Sequence, residues 1–165
     1  MKLETLEQLF IDELQDLHGA ETMLIKALPQ MADAAHSAQL RQAFQDHLEE
    51  TRGHVERIEH ILEKIQNGKV KGKKCKGMEG LIDEGNERIK ASGDPAVVDA
   101  GLIAAAQRIE HYEIAAYGCA KTYAELLGDD ASCRLLEQTL DEEKAADEKL
   151  TELAMTLINP QAARA

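Results

Sequence analysis

His47, Glu50 and His54 follow one another at steps of three and four residues, the steps that keep side chains on one face of an α-helix. They interrupt a stripe that is otherwise apolar, with Phe44 before them and Ile58 and Ile61 after them. The same interruption recurs along the chain. Glu143 and Asp147 fall between Leu136 and Leu140 on one side and Leu150, Ala154 and Leu157 on the other; Glu110 and Glu113 fall between Ala106 and Tyr117; Glu21 shares a face with Leu17, Leu24 and Leu28. Charges taken out of water without partners cost several kcal/mol each, and facing carboxylates repel and raise one another's pKa. Divalent cations reverse both penalties, because carboxylate oxygens become ligands. Two ions about 4 Å apart would open the oxidation of ferrous iron by oxygen or peroxide. The spacing predicts Glu50 and Glu143 as bridges, Glu21 and Glu113 as terminal ligands, and His54 and Asp147 as the groups completing each shell. Glu110 is then a spare or shifting carboxylate, and His47 is an alternative imidazole to His54. Tyr117, one turn from Glu113, reads as a core tyrosine with a bonded hydroxyl before it reads as a ligand-orienting or radical-bearing group.

Helices must position these side chains. Leu6, Leu9, Phe10, Leu17, Leu24, Leu28 and Met31 recur with helical spacing, predicting a helix over about 4–35 with Pro29 as a kink or early end. Ser37 suits an N-cap for a second helix over about 38–67, which Asn67-Gly68 would stop. Residues 68–94 form a long connection in which Met78, Leu81, Ile82 and Ile89 suggest one short helix. Asp94-Pro95 then reads as N-cap and first helical residue of a third long helix over about 95–127. Gly128-Asp129-Asp130 breaks it, and a fourth runs over about 131–158 to Asn159-Pro160. Short turns make antiparallel neighbours, and the long connection can cross the bundle. The expected architecture is all-α: an antiparallel four-helix bundle, one domain over 1–165, with a long crossover containing a short fifth helix. Folding about the turns near residues 36 and 130 sets Glu21 opposite position 52 and Glu113 opposite Asp147. The halves also repeat: Glu49-Glu50 aligns with Glu142-Glu143 and His54 with Asp147, while Ala20-Glu21 aligns with Tyr112-Glu113. A two-fold related helix pair is how such a bundle builds a site for two ions.

Composition narrows the function classes. A net charge of −12 argues against coating a nucleic acid, whose phosphates need Lys or Arg. The basic cluster Lys69, Lys71, Lys73, Lys74 and Lys76, flanked by Gly68, Gly72 and Gly77, reads as a solvated loop. No apolar stretch is long enough to span a membrane, the first residues lack a secretory apolar segment, and the cytoplasm is expected. The three cysteines, Cys75, Cys119 and Cys133, have no paired metal-type spacing, so neither a disulfide framework nor a cysteine–zinc site is expected.

The segments Leu9-Phe10-Ile11-Asp12-Glu13-Leu14 with Ala20-Glu21, His47-Leu48-Glu49-Glu50-Thr51, Glu110 through Gly118, and Glu142 through Asp147 resemble the YciF-like family of bacterial stress proteins, over essentially the whole chain. The resemblance implies a ferritin-like fold, related to rubrerythrins, a role in stress and dimerisation through helix faces. The general di-iron signature, Glu-x-x-His on each of two helices, is not met: Glu50 and His54 are four apart, and Asp147 stands where a histidine is expected. That oxygen-rich donor set favours iron or manganese over softer ions. The function expected is a di-metal, di-iron stress protein that oxidises ferrous iron or reduces peroxide. The alternative from another class is a non-catalytic dimeric bundle with a structural ion or none. A storage cage lacks the interfaces of a shell, and a DNA-protecting miniature ferritin lacks a basic tail.

Overall fold

A computed structural model of the chain describes residues 3–68 and 70–165, so Lys69 of the basic cluster lies outside the described residues. The elements are α1 (Leu6–Ala34), α2 (Ala38–Ile65), α3 (Lys76–Ile89), α4 (Pro95–Leu126), α5 (Asp130–Leu153), a π-helical turn (Ala154–Ile158) and the short α6 (Asn159–Ala162). Each long helix starts where a side chain can accept from the first turn's free N–H groups. Thr5 Oγ1 accepts from Gln8 N, Ser37 Oγ from Leu40 N, Asp94 Oδ1 from Ala96 N, and Asp129 Oδ1 from Ser132 N. Asn67 and Gly68 take positive φ just past α2, and Gly68 N returns to Glu63 O, as a helix stop requires.

Two expected stops behave differently. Pro29 lies inside α1, which continues to Ala34 because Ala27, Leu28, Met31 and Ala32 are buried on either side of it. Asn159-Pro160 does not end the last helix. The ladder widens to a π turn over Ala154–Ile158, and Pro160 falls in the first turn of α6, where a missing N–H leaves no bond unmade.

Helix α1 packs on α2 and α4 on α5, while α2–α5 and α1–α4 contacts bring the two pairs together in an all-helical bundle. One apolar cluster joins the end of α1 (Leu28, Met31) to the start of α2 (Leu40, Phe44), the start of α4 (Val98, Leu102) and the end of α5 (Leu150). The other joins Phe10 and Leu14 of α1 to Ile58 and Leu62 of α2, Ala120 and Ala124 of α4, and Leu136 and Leu140 of α5. Each side-by-side pair is therefore antiparallel, and α2 must be linked to α4 along the bundle's length.

The crossover makes that link against α1 and α4. Lys73 N donates to Gln15 O at 3.0 Å, and the crossover backbone lies so close to α1 that a Cβ on Gly19 would sit 1.8 Å from the Lys73 carbonyl oxygen. Lys73 itself is not simply solvated, since its Nζ pairs with Asp12 at 2.6 Å and with Asp16 at 3.6 Å. Lys71, Lys74 and Lys76 are exposed, and Lys74 pairs with Glu79. At the opposite end, buried Asp99 of α4 accepts from His36 N at 2.8 Å and Ser37 N at 2.7 Å, tying the α1–α2 turn to α4. Among the described residues, no helix is long and apolar enough to cross a membrane.

Candidate metal centre

Between the two apolar clusters lies a polar layer to which all four long helices contribute. Glu21 comes from α1, His47, Thr51 and His54 from α2, Glu110 and Glu113 from α4, and Glu143 from α5, and all are buried. The placement follows from helix geometry: 47, 51, 54 and 58 fall on one stripe at 100° per residue, continuous with Phe44 and Ile61.

Six of these side chains form two overlapping groups of donor atoms. Glu21, His54 and Glu143 make one; His47, Glu110, Glu113 and Glu143 make the other, with the donor atoms of each group within 4.8 Å of one another. Glu143 belongs to both. His54 Nδ1 lies 3.0 Å from Glu143 Oε1 and 3.3 Å from Glu21 Oε1, and His47 Nε2 lies 3.5 Å from Glu110 Oε2 and 3.6 Å from Glu143 Oε2. None of these approaches is aligned as a hydrogen bond. Among the described residues, every buried side-chain polar atom without a hydrogen-bond partner belongs to this layer: Glu21 Oε2, His47 Nε2, His54 Nδ1, Glu110 Oε2, and both oxygens of Glu113 and of Glu143. Native interiors satisfy nearly all such atoms, and an unsatisfied one costs about 1–3 kcal/mol. Converging orphaned oxygens and imidazole nitrogens are the donor set a divalent cation fits.

The histidines are held from behind. His54 Nε2 lies 3.0 Å from Glu142 Oε2, and Glu142 is gripped by Arg57 through two bonds of 2.6 and 2.9 Å. His47 Nδ1 lies 3.1 Å from Glu50 Oε2, and Thr51 Oγ1 donates to His47 O. Each ring thus has one nitrogen engaged by an outer carboxylate and the other aimed inward, the arrangement usual around metal-binding histidines. Tyr117, wholly buried, donates its hydroxyl to Glu21 Oε1 and sets its ring against His54, so its hydroxyl is bonded.

Electrostatics records the crowding. Burial pushes the Glu110 and Glu113 carboxyls well above the usual carboxylate range, and neighbouring carboxylates push them further, although His47 pulls Glu110 back in part. Glu143 is raised by burial and by Glu21 against the opposing pull of His54. Burial alone would lower His54, but Glu143 and Glu21 outweigh it and raise that imidazole to about 10. For Glu110, Glu113 and Glu143 the shift favours the neutral, protonated carboxyl.

Of the residues expected from spacing, the structure brings together Glu21, His54, Glu110, Glu113 and Glu143, and it points both candidate histidines inward. It does not bring in Glu50 or Asp147. Glu50 lies roughly 65° round the helix from the centre of the buried stripe; its side chain is 46% exposed and its carboxylate meets the outer edge of His47. Asp147 is held by Gln107 Nε2 at 3.0 Å and His111 Nε2 at 3.3 Å, at the margin between α4 and α5. The expected two-fold symmetry holds for Glu21 and Glu113, one in each group, and fails for Glu50 and Glu143. The Glu142–Arg57 brace was missed; the signal available was Arg57 three residues after His54, on the same helix side.

A family described as a domain of unknown function, DUF892, matches residues 5–163. The chain belongs to this family. Protein YciF of Escherichia coli strain K12 is 49% identical over 162 residues, spanning 98% of each chain. The crystal structure of the E. coli stress protein YciF matches with a TM-score of 0.90 at 50% identity, over 94% of this chain and 98% of that one. YcfI of Rhodopseudomonas palustris, described as a candidate structural protein, matches with a TM-score of 0.87 at 41% identity, over 91% and 95% of the two chains. A protein of Xanthomonas campestris at 20% identity and a TM-score of 0.75, over 97% and 98% of the chains, shares the fold.

Proposed function

We propose that this DUF892 protein is a di-metal carboxylate protein of the stress response, with iron as the resident metal and manganese as the substitute, built on a bundle of the ferritin-like kind. The observation that carries the reading is the gathering of the unpartnered buried donor atoms in one layer of carboxylates and imidazoles. Glu21, His54 and Glu143 would hold one ion, and His47, Glu110, Glu113 and Glu143 the other. Oxygen and imidazole donors without sulfur suit iron or manganese. When bound, such a pair supplies redox chemistry toward oxygen or peroxide, in the direction of ferrous oxidation or peroxide reduction. The chain's own residues position and shield: Tyr117 fixes one oxygen of Glu21, Glu142 and Glu50 orient the two imidazoles, and the apolar clusters on either side exclude water. Likeness to the E. coli stress protein supports the stress role; a cytoplasmic homodimer is part of the proposal.

Elemental analysis of freshly purified, unchelated protein tests it. Two equivalents of iron or manganese per chain are expected, both lost in Glu143→Ala and one in Glu21→Ala, with peroxide-dependent ferrous oxidation abolished in Glu143→Ala. Wild-type protein that takes up no ion, together with unaltered stability in Glu143→Ala, would overturn it. That outcome would favour the second reading, a non-catalytic dimeric bundle, to which the description of the R. palustris relative gives specific support.

A further inference from the structure

A cleft of about 100 Å³ opens between α2 and α5 and ends on the polar layer, with His47 and Glu110 at its floor. Both floor residues are more than nine-tenths buried, and the atoms His47 Nε2 and Glu110 Oε2 have no hydrogen-bond partner. Phe44, Ala146 and Leu150 line its walls. Its rim is charged. Lys149 Nζ of α5 reaches across to Asp46 Oδ2 of α2 at 2.9 Å, with both side chains nearly half exposed. Glu50 stands one turn further along α2, with one side in solvent and the other on His47. Larger clefts, one lined by Arg88 and Arg108 and one by Glu7 and Asp129, touch none of the six donor residues.

We propose that this cleft is the port through which divalent cations reach the buried layer, with Asp46 and Glu50 capturing the ion at the rim and passing it to His47 and Glu110. The inference rests on the metal-binding reading above and adds the route and the residues that govern it. An ion that moves from solvent to the floor exchanges water for protein oxygens on the way, and the rim carboxylates of Asp46 and Glu50 are placed to supply them. Lys149 opposes that capture twice, by its own charge and by occupying Asp46.

Stopped-flow uptake of Co²⁺ by the chelator-stripped protein, followed by its visible absorption, tests the port. Ala146→Phe should slow uptake at least tenfold while the final stoichiometry stays at that of the wild type. At low salt Asp46→Asn should slow uptake and Lys149→Glu should speed it, by up to on the order of tenfold. Both differences should shrink as salt shortens the Debye length to about 8 Å at physiological strength, a dependence that a purely structural role would not give. A folded Ala146→Phe protein loading at the wild-type rate overturns the port and leaves the metal reading intact. Should that variant fail to fold, wild-type rates in both rim variants overturn it instead. A wild-type protein that binds no Co²⁺ at equilibrium overturns the metal reading and the port together.

Discussion

His54 shows how much of the site is decided by groups that never face its centre. Its inward nitrogen is free to bind only because the outward one is engaged by Glu142, and Glu142 stays ionised because Arg57 and Gln138 outweigh the effect of burial and hold its carboxyl below the usual range. Outer carboxylates of this kind are worth roughly 10- to 100-fold in metal affinity. Glu142→Ala should therefore weaken Co²⁺ binding at the Glu21–His54 group by at least tenfold in isothermal titration, leaving the His47 group within about twofold of wild type. Equal weakening at both groups would show that Glu142 acts on the bundle, not on His54. The pH dependence is argued from the same atoms. Glu110, Glu113 and Glu143 are raised above the ordinary 4.5, and His47 and His54 above 6.5, His54 to about 10. Folding therefore takes up protons, and the stability these protons lend is complete below each group's unfolded value and drains away as pH climbs through the folded one. For His54 the window runs from 6.5 to about 10. Cations that replace those protons should raise the melting temperature more at pH 9 than at pH 6, measured as the difference between loaded and chelator-treated samples. A difference independent of pH would contradict this account.

At the scale of elements, two contacts hold the helices in the register that closes the layer. Gly19 lets the crossover lie directly on α1, and no methyl group can be accommodated where a Cβ would meet the Lys73 carbonyl at 1.8 Å. Gly19→Ala should lower stability by about 2 kcal/mol or more in urea denaturation, despite the better helix propensity of alanine. A stabilised variant would mean that the crossover is held elsewhere. Asp99 acts at the other end of the bundle, where its carboxylate takes both free N–H groups of the α1–α2 turn. Asp99→Ala leaves those donors without their partner and should cost about 2–3 kcal/mol by the same measurement, with a loss below 0.5 kcal/mol counting against the pinning role.

For the whole molecule, the layer divides the core in two. Apolar packing above and below it supplies the stability that four inward carboxylates withdraw, and the bundle is most strained in this layer when neither protons nor cations neutralise it. The charge of the exterior fits the same picture: a net charge of −12 favours the approach of cations toward any opening in the bundle. Exposed Leu3, Val97, Leu126, Leu127 and Met155 are the large apolar side chains left on the surface among the described residues, and a homodimer of this chain is expected to cover some of them. Sedimentation velocity should give twice the mass of one chain, and a monomer at micromolar concentration would remove dimerisation from the proposal.

The long helices and most of their boundaries could be read from the chain because they rest on local causes: apolar spacing, Ser37 and Asp94 as caps, Asn67-Gly68 as a stop. So could the layer, since a carboxylate on an apolar stripe is visible in one dimension and Glu21, Glu110, Glu113 and Glu143 each interrupt one. Spacing did not resolve which residues of a helix turn face inward. Glu50 and His47 are three residues apart, and only the packing of α2 against α1 and α5 sends the imidazole in and leaves the carboxylate outside. Asp147 shares the side of Glu143 on α5, yet Gln107 and His111 of another helix claim it. Pro29 failed as a stop because burial on either side of it outweighed a missing hydrogen bond, and Pro160 because it falls in the first turn of α6, where no bond is lost. Local propensity and periodicity are properties of a segment; the direction of a side chain near a stripe's edge is set by what other helices bring to it, and that is decided only when the helices meet.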